Sequence, residues 1–179
     1  VYEIIVADGF SKDNTREIAL KFGASVIMTP GTQAAARNLG LTCSKGDFIF
    51  FVDSDQQLDA KVAEDCVLAC LKYGADAVKV PEVFVGLNFW DKCSALWKNR
   101  MVKAWGSRGG IPRFYRRSVL TGSAAFDDRL RLWEDLELYH RLRLAGLKEV
   151  WCKHGVIHYE VDSLRNIIQK YISYGRFIV

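Results

Sequence analysis

The sequence contains no run of 18 apolar residues, so none of its segments is built to cross a membrane as a helix. No secretory leader is expected within these residues. None of its five cysteines (Cys43, Cys66, Cys70, Cys93, Cys152) forms a C-x-x-C pair, and the odd count argues against a disulfide framework. Cys66 and Cys70, four apart in an apolar helical pattern, read as buried thiols, and a reduced, cytoplasmic setting is expected. No G-x-G-x-x-G follows a strand, which excludes a dinucleotide-dependent oxidoreductase. Gly109-Gly110 lacks the Gly-Lys-Ser/Thr of a phosphate loop and reads as a hinge or acceptor loop. Finally, no Asp or Glu stands between Lys92 and Phe126.

That last gap organises the charge. The chain has 179 residues, 25 basic and 21 acidic, a net of +4. Eight of the basic residues (Lys92, Lys98, Arg100, Lys103, Arg108, Arg113, Arg116 and Arg117) fall in the acid-free stretch. The remainder is therefore an acidic body carrying one basic insert. The insert is open to three readings: a solvated face, a site for a phosphorylated acceptor such as a polyprenyl phosphate, or a patch that meets an anionic membrane surface. Trp90, Trp97 and Trp105 lie among its charges, and Trp favours interfaces. Nucleic acid is not expected, because the basic residues follow no recognised binding motif.

Half of the residues are apolar and 26% are charged, an ordinary globular composition for one domain. The first half alternates strand and helix. Strands are expected at 2–7, 24–28, 47–52 and 75–80. Helices are expected from Asp13 to Phe22 (stopped by Gly23), over 33–42 behind Thr32, and from Ala60 to Tyr73 behind Asp59 and before Gly74. This order implies a mostly parallel sheet with helices on both faces, an α/β fold. Residues 87–105 read as helix or loop, 107–112 as a flexible break and 113–115 as a strand. Further on come a helix at 133–145, strands at 148–153 and 156–159, and an amphipathic helix at 163–174. The start at Val1 in a strand and the apolar end at 177–179 suggest a piece of a longer protein.

Ligands of parallel α/β sheets bind beyond the carboxyl ends of strands. Asp8 follows the first strand, and Asp53-Ser54-Asp55-Gln56-Gln57 follows the third. Two carboxylates two residues apart at a strand end supply hard oxygen ligands suited to Mg²⁺ or Mn²⁺, with substrate phosphates completing the shell. The bland alternative is a loop with a helix cap. Glu134 and Asp135 open a helix, where acids are favoured by the dipole with or without a catalytic duty. Arg37 fits a surface ion pair as readily as a ligand contact, and His158 fits a hydrogen-bonded core as readily as a metal. His140 and His154 are assigned no role.

Taken together these segments resemble a known family. VADGFSKDNTREIA is similar to the V-D-G-G-S-T-D-N-T segment of family-2 glycosyltransferases with the Rossmann-like GT-A fold. AAARNLGL is similar to their A-R-N-x-G segment, FVDSDQQL to their D-x-D segment and Trp133-Glu134-Asp135-Leu136 to their E-D dyad. His158 is similar to their late histidine near the metal. The resemblance implies an inverting, metal-dependent glycosyltransferase that uses a nucleotide-sugar donor, UDP- or GDP-linked, and a hydroxyl or lipid-phosphate acceptor. It implies that Asp8 contacts the nucleoside base and Arg37 the nucleotide. Asp55, with Asp53 and His158, would hold Mg²⁺ or Mn²⁺, and Asp135 of the Glu134–Asp135 dyad would be the catalytic base.

Gln57 resembles the glutamine near the metal in polyprenyl-phosphate sugar transferases. Arg113, Arg116 and Arg117 are the insert residues expected to meet the acceptor. The expected division is a nucleotide-sugar half, 1–86, and an acceptor half, 87–179, at the cytoplasmic face of a membrane or free of it. The family's usual first strand and P-x-Y-N-type loop are missing before Val1, and Phe10 stands where Gly or Asp is usual. Two other functions compete. An inactive sugar-nucleotide-binding or membrane-associated scaffold is one. The other is a haloacid-dehalogenase-like phosphatase, whose D-x-D nucleophile motif wants Thr or Val where Gln56-Gln57 stand.

Overall fold

A computed structural model describes residues 3–106, 110–120, 125–160 and 163–175. Its contacts divide the chain into two compact units, residues 1–51 with 115–147 and residues 52–114 with 148–179. Ser107–Gly109, in the expected flexible break, lie outside the described residues, as does Arg108 of the basic insert.

The first unit opens with β1 (Ile5–Asp8), α1 (Thr15–Lys21) and β2 (Ser25–Met28), a β-α-β turn whose strands pair in parallel from Ile5↔Ser25 to Asp8↔Met28. Asp13 does not cap α1 as expected. Its carboxylate accepts from the Thr15 amide and hydroxyl and shapes the preceding turn, so the helix starts two residues later. Thr32 does cap α2 (Gln33–Cys43), accepting from the Ala35 amide at 3.2 Å. β3 (Phe48–Phe50) follows. The unit's last helix, numbered below as α5 (Glu134–Leu144), packs on α2 and buries Leu138, Tyr139 and Leu142. Phe51 meets Tyr115 and Phe126 edge to face, with ring centres 6.2 and 5.1 Å apart.

The second unit holds a three-stranded sheet in which β9 (Val156–Glu160) lies between β4 (Gln56–Leu58) and β6 (Glu82–Gly86). β6 and β9 run parallel, whereas β4 runs antiparallel to β9. β5 (Ala77–Lys79) pairs in parallel with β8 (Glu149–Trp151), and α3 (Val62–Tyr73) packs on both. α3 buries Val62, Cys66, Ala69 and Cys70 and ends on Gly74 in the left-handed conformation. Asp59 accepts from the Lys61 amide, so this helix begins at Val62 rather than Ala60.

The ambiguous stretch after residue 87 is a full helix, α4 (Phe89–Trp105), fixed by a two-way capping box between Asn88 and Asp91. It packs on β6 and β9. Gly86 lies under its first turn, where an added Cβ would sit 2.2 Å from the Asp91 carbonyl carbon, so no side chain fits. β7 (Phe114–Arg116) falls at the chain border of the two units, and α6 (Leu164–Gly175) closes the described chain.

Candidate active site

The second unit gathers the D-x-D carboxylates with partners from β6 and β9. The antiparallel register places Gln56 opposite His158, and the parallel register places Phe84 on the other side of the same histidine. The His158 ring stacks on Phe84 with centres 5.0 Å apart. Its Nε2 lies 3.0 Å from Asp55 Oδ2 and its Nδ1 lies 2.6 Å from Glu82 Oε1. The same Glu82 oxygen accepts from Gln56 Nε2 at 2.7 Å and from Arg113 Nη2 at 3.1 Å. Arg113 Nη1 also donates to Asp53 Oδ2 at 2.8 Å. Glu82 thus collects three donors on one oxygen and ties both aspartates into one array.

The electrostatics follow from this crowding. Burial alone would raise the Glu82 carboxyl, but His158, Arg113 and Gln56 outweigh it and hold the group below the usual carboxylate range. For His158, burial would lower the imidazole, while Glu82 and Asp55 together raise it above its ordinary value. Among the described residues, no three His, Cys, Asp or Glu side chains are grouped so that they could hold a metal ion. Asp55 Oδ2 and His158 Nε2 are instead in direct ion-pair contact. One carboxylate oxygen with one imidazole suits Mn²⁺ better than Mg²⁺. Asp53, the other expected ligand, is engaged by Arg113. Gln57 accepts from the Tyr159 hydroxyl at 2.7 Å on the exposed side of β4.

In the first unit, Asp8 ends β1 and is only 3% exposed. Its carboxylate accepts from the Ser11 amide at 3.1 Å, which folds the Gly9–Phe10 turn and holds Phe10 at φ 65°. The A-R-N segment lies on α2. Arg37 Nη1 donates to Glu134 Oε1 at 2.7 Å and its guanidinium covers the Phe126 ring. Asn38 donates to the Phe126 carbonyl at 2.8 Å and accepts from the Phe126 amide at 2.9 Å. These two neighbours therefore fix the chain that leads into the acidic dyad. The two acids of the dyad differ. Glu134 is buried against Arg37, whereas Asp135 stays partly exposed in the first turn of α5, accepting from the adjacent Leu136 amide. Trp133, at φ 58°, turns the chain into that helix.

The insert arginines have distinct surroundings. Arg113 belongs to the Glu82 array. Arg116 lies over the Phe48 ring at 5.1 Å. Arg117 donates to the Gly46 carbonyl at 2.6 Å and the Ser44 hydroxyl at 2.7 Å, which ties down the turn after α2. His154 accompanies Asp65 of α3 through both its backbone N–H and its ring. Glu82 and Gln56 were not among the sequence candidates. The one signal for Glu82 was an acid placed directly after Pro81 at the start of an otherwise apolar run.

The profile of glycosyl transferase family 2 matches residues 1–126. Among curated proteins the chain is similar to the succinoglycan biosynthesis protein ExoA of Rhizobium meliloti (strain 1021), with 25% identity over 97% of this chain and 58% of that protein. The chain thus spans somewhat over half the length of this relative. Among solved structures it is similar in fold to S. aureus TarS 1–349 in complex with UDP-GlcNAc. The TM-score is 0.67 at 19% identity, covering 90% of this chain and 50% of that one. It is also similar to glucosyl-3-phosphoglycerate synthase from Mycobacterium tuberculosis in complex with Mn²⁺ and UDP-glucose. There the TM-score is 0.57 at 21% identity, over 97% and 68% of the two chains.

Proposed function

Since the chain belongs to glycosyl transferase family 2, we propose that it carries the donor-binding and catalytic residues of an inverting, metal-dependent glycosyltransferase. The observation that carries this reading is the array at the end of the D-x-D segment, where His158 stands in contact with Asp55 on one ring nitrogen and Glu82 on the other. The donor in this reading is a UDP-sugar ahead of a GDP-sugar, because the solved structures of similar fold are described with UDP-GlcNAc and UDP-glucose. Asp55 and His158 would hold Mn²⁺ or Mg²⁺, which when bound offsets the charge growing on the departing diphosphate. Glu82 orients His158 from behind, as carboxylates do for metal-bound histidines.

The acceptor oxygen forms a bond to the anomeric carbon as the bond from that carbon to the diphosphate oxygen breaks, and the nucleoside diphosphate leaves. Asp135 takes the proton of an acceptor hydroxyl. Asp8 shapes the β1 loop toward the nucleoside. Arg37 acts through Glu134, keeping the dyad's backbone in place so that Asp135 can serve as the base. The functional division at residue 86 follows chemistry, whereas the compact units follow contacts; both halves of the reading draw residues from each unit.

Calorimetric titration of UDP- and GDP-sugars with and without Mn²⁺, on the chain and on Asp55→Ala, tests the proposal. Mn²⁺-dependent binding of a nucleotide-sugar, lost in Asp55→Ala, is expected. Binding that ignores both the ion and the substitution would remove the metal site. Donor binding without any transfer would favour the scaffold alternative.

A further inference from the structure

We propose that the face shared by α4 and α6 docks on an anionic lipid surface. α4 belongs to the basic insert, but α6 lies beyond it in sequence and supplies the apolar half of the face. Leu164, Ile167, Ile168, Tyr171 and Ile172 follow the spacing of one helical stripe, yet α6 buries no residue. Ile168, Tyr171 and Ile172 are 50, 57 and 54% exposed. Trp90 and Trp97 of α4 line a groove with Ile167 and Tyr171 of α6, and Trp97 is itself 55% exposed. Aromatic rings of this kind suit the boundary between water and lipid.

Charge complementarity selects the occupant. Lys98 and Lys170 line the groove itself, and Lys92, Arg100 and Lys103 of α4 and Arg165 of α6 are further exposed cations on the two helices. α6 carries no Asp or Glu. The one acid of α4, Asp91, is 2% exposed and closed into its capping box. Glu160, from β9 beneath, is buried and bound by Lys98 and Ser94. Among the described residues, the two helices therefore present apolar groups and positive charge with no exposed carboxylate. A second copy of the chain would set cations against cations. A bilayer rich in anionic headgroups satisfies both halves, the pattern of helices that lie in an interface. The inference does not depend on the donor reading.

Co-sedimentation with vesicles decides it, using phosphatidylcholine alone and phosphatidylcholine mixed with phosphatidylglycerol. The chain should partition onto the mixed vesicles and scarcely onto the neutral ones, with binding that falls as salt rises. Lys103→Gln should weaken binding about fivefold and Lys92→Gln with Arg100→Gln and Lys103→Gln by more than tenfold. Ile168→Glu with Ile172→Glu should abolish binding. Ile168→Gln is the milder variant if that pair disturbs the helix, and circular dichroism checks each fold. Leu71→Glu, at an exposed apolar position of α3, should change nothing. Equal binding to neutral vesicles, no binding to anionic ones, or binding that survives Ile168→Glu with Ile172→Glu would overturn the proposal. So would a dimer in light scattering that Ile168→Glu dissociates. Nucleotide-sugar titration of the same variants stays unchanged in each case, which keeps this test separate from that of the donor site.

Discussion

Glu82 and His158, 76 positions apart, meet on neighbouring parallel strands through a 2.6 Å contact that fixes the histidine ring from the side opposite Asp55. This contact, rather than the D-x-D spacing, gives the array its orientation. Replacing Glu82 by Gln keeps the shape and removes the charge. We expect Mn²⁺ affinity to fall by about 10–100-fold, the range seen when the carboxylate behind a metal-bound histidine is lost. Calorimetry with Mn²⁺ measures it directly, and an unchanged affinity would mean that Glu82 serves packing alone.

The Arg37–Glu134 pair is the opposite case, an ion pair with little solvent and a structural duty. Their side chains are 17 and 6% exposed. Cutting either partner leaves a buried charge, so Arg37→Ala or Glu134→Ala should each cost about 3–5 kcal/mol. Arg37→Ala combined with Glu134→Ala should cost much less than the sum. Urea unfolding of the four proteins gives the coupling, and additive losses would show that the pair contributes nothing jointly.

Asp135→Asn separates two classes of acceptor. A hydroxyl acceptor must lose a proton during transfer, so the variant should keep donor binding and lose transfer by about 10²–10⁴-fold. A phosphate acceptor arrives deprotonated and needs no base. Undiminished transfer to a phosphate acceptor, beside a loss with hydroxyl acceptors, would identify the lipid-phosphate class. Equal transfer to both would remove Asp135 from the mechanism.

Asp65 gives a pH signature away from the site. The backbone N–H of His154 and then its ring hold the Asp65 carboxyl below the usual range. A depressed folded value means stabilisation that is complete above the unfolded value of about 3.9 and lost as pH falls through the folded one. The gap in Tm between the parent chain and Asp65→Asn should therefore be constant near neutrality and close in acid. A gap that does not change with pH would assign the effect to hydrogen bonding with the neutral side chain.

Much of the fold could be read from the residues. Apolar runs located β1, β3 and β5, and Thr32 and Gly74 marked real helix ends because their side-chain oxygen and left-handed backbone act locally. β4 and β6 escaped notice. Gln56–Leu58 is three residues long and mostly polar, and it is a strand only because β9 lies beside it. Asp13 failed as a cap because Thr15 competes for its carboxylate. The site was legible as a list and not as a network. Asp53 and Asp55 are two apart in sequence, yet one turns to Arg113 and the other to His158, a separation made by strand pairing 60 to 103 residues away.

Gly86 carries a consequence for evolution. The first turn of α4 rests where a side chain would project, so a single hydrogen atom sets how closely helix and strand approach. Every heavier residue there acts as a wedge, and its effect spreads to the tilt of a 17-residue lever bearing Trp90, Trp97 and Lys103. Substitutions along the outer side of that lever can retune what it touches, one residue at a time, while its fulcrum admits no variation.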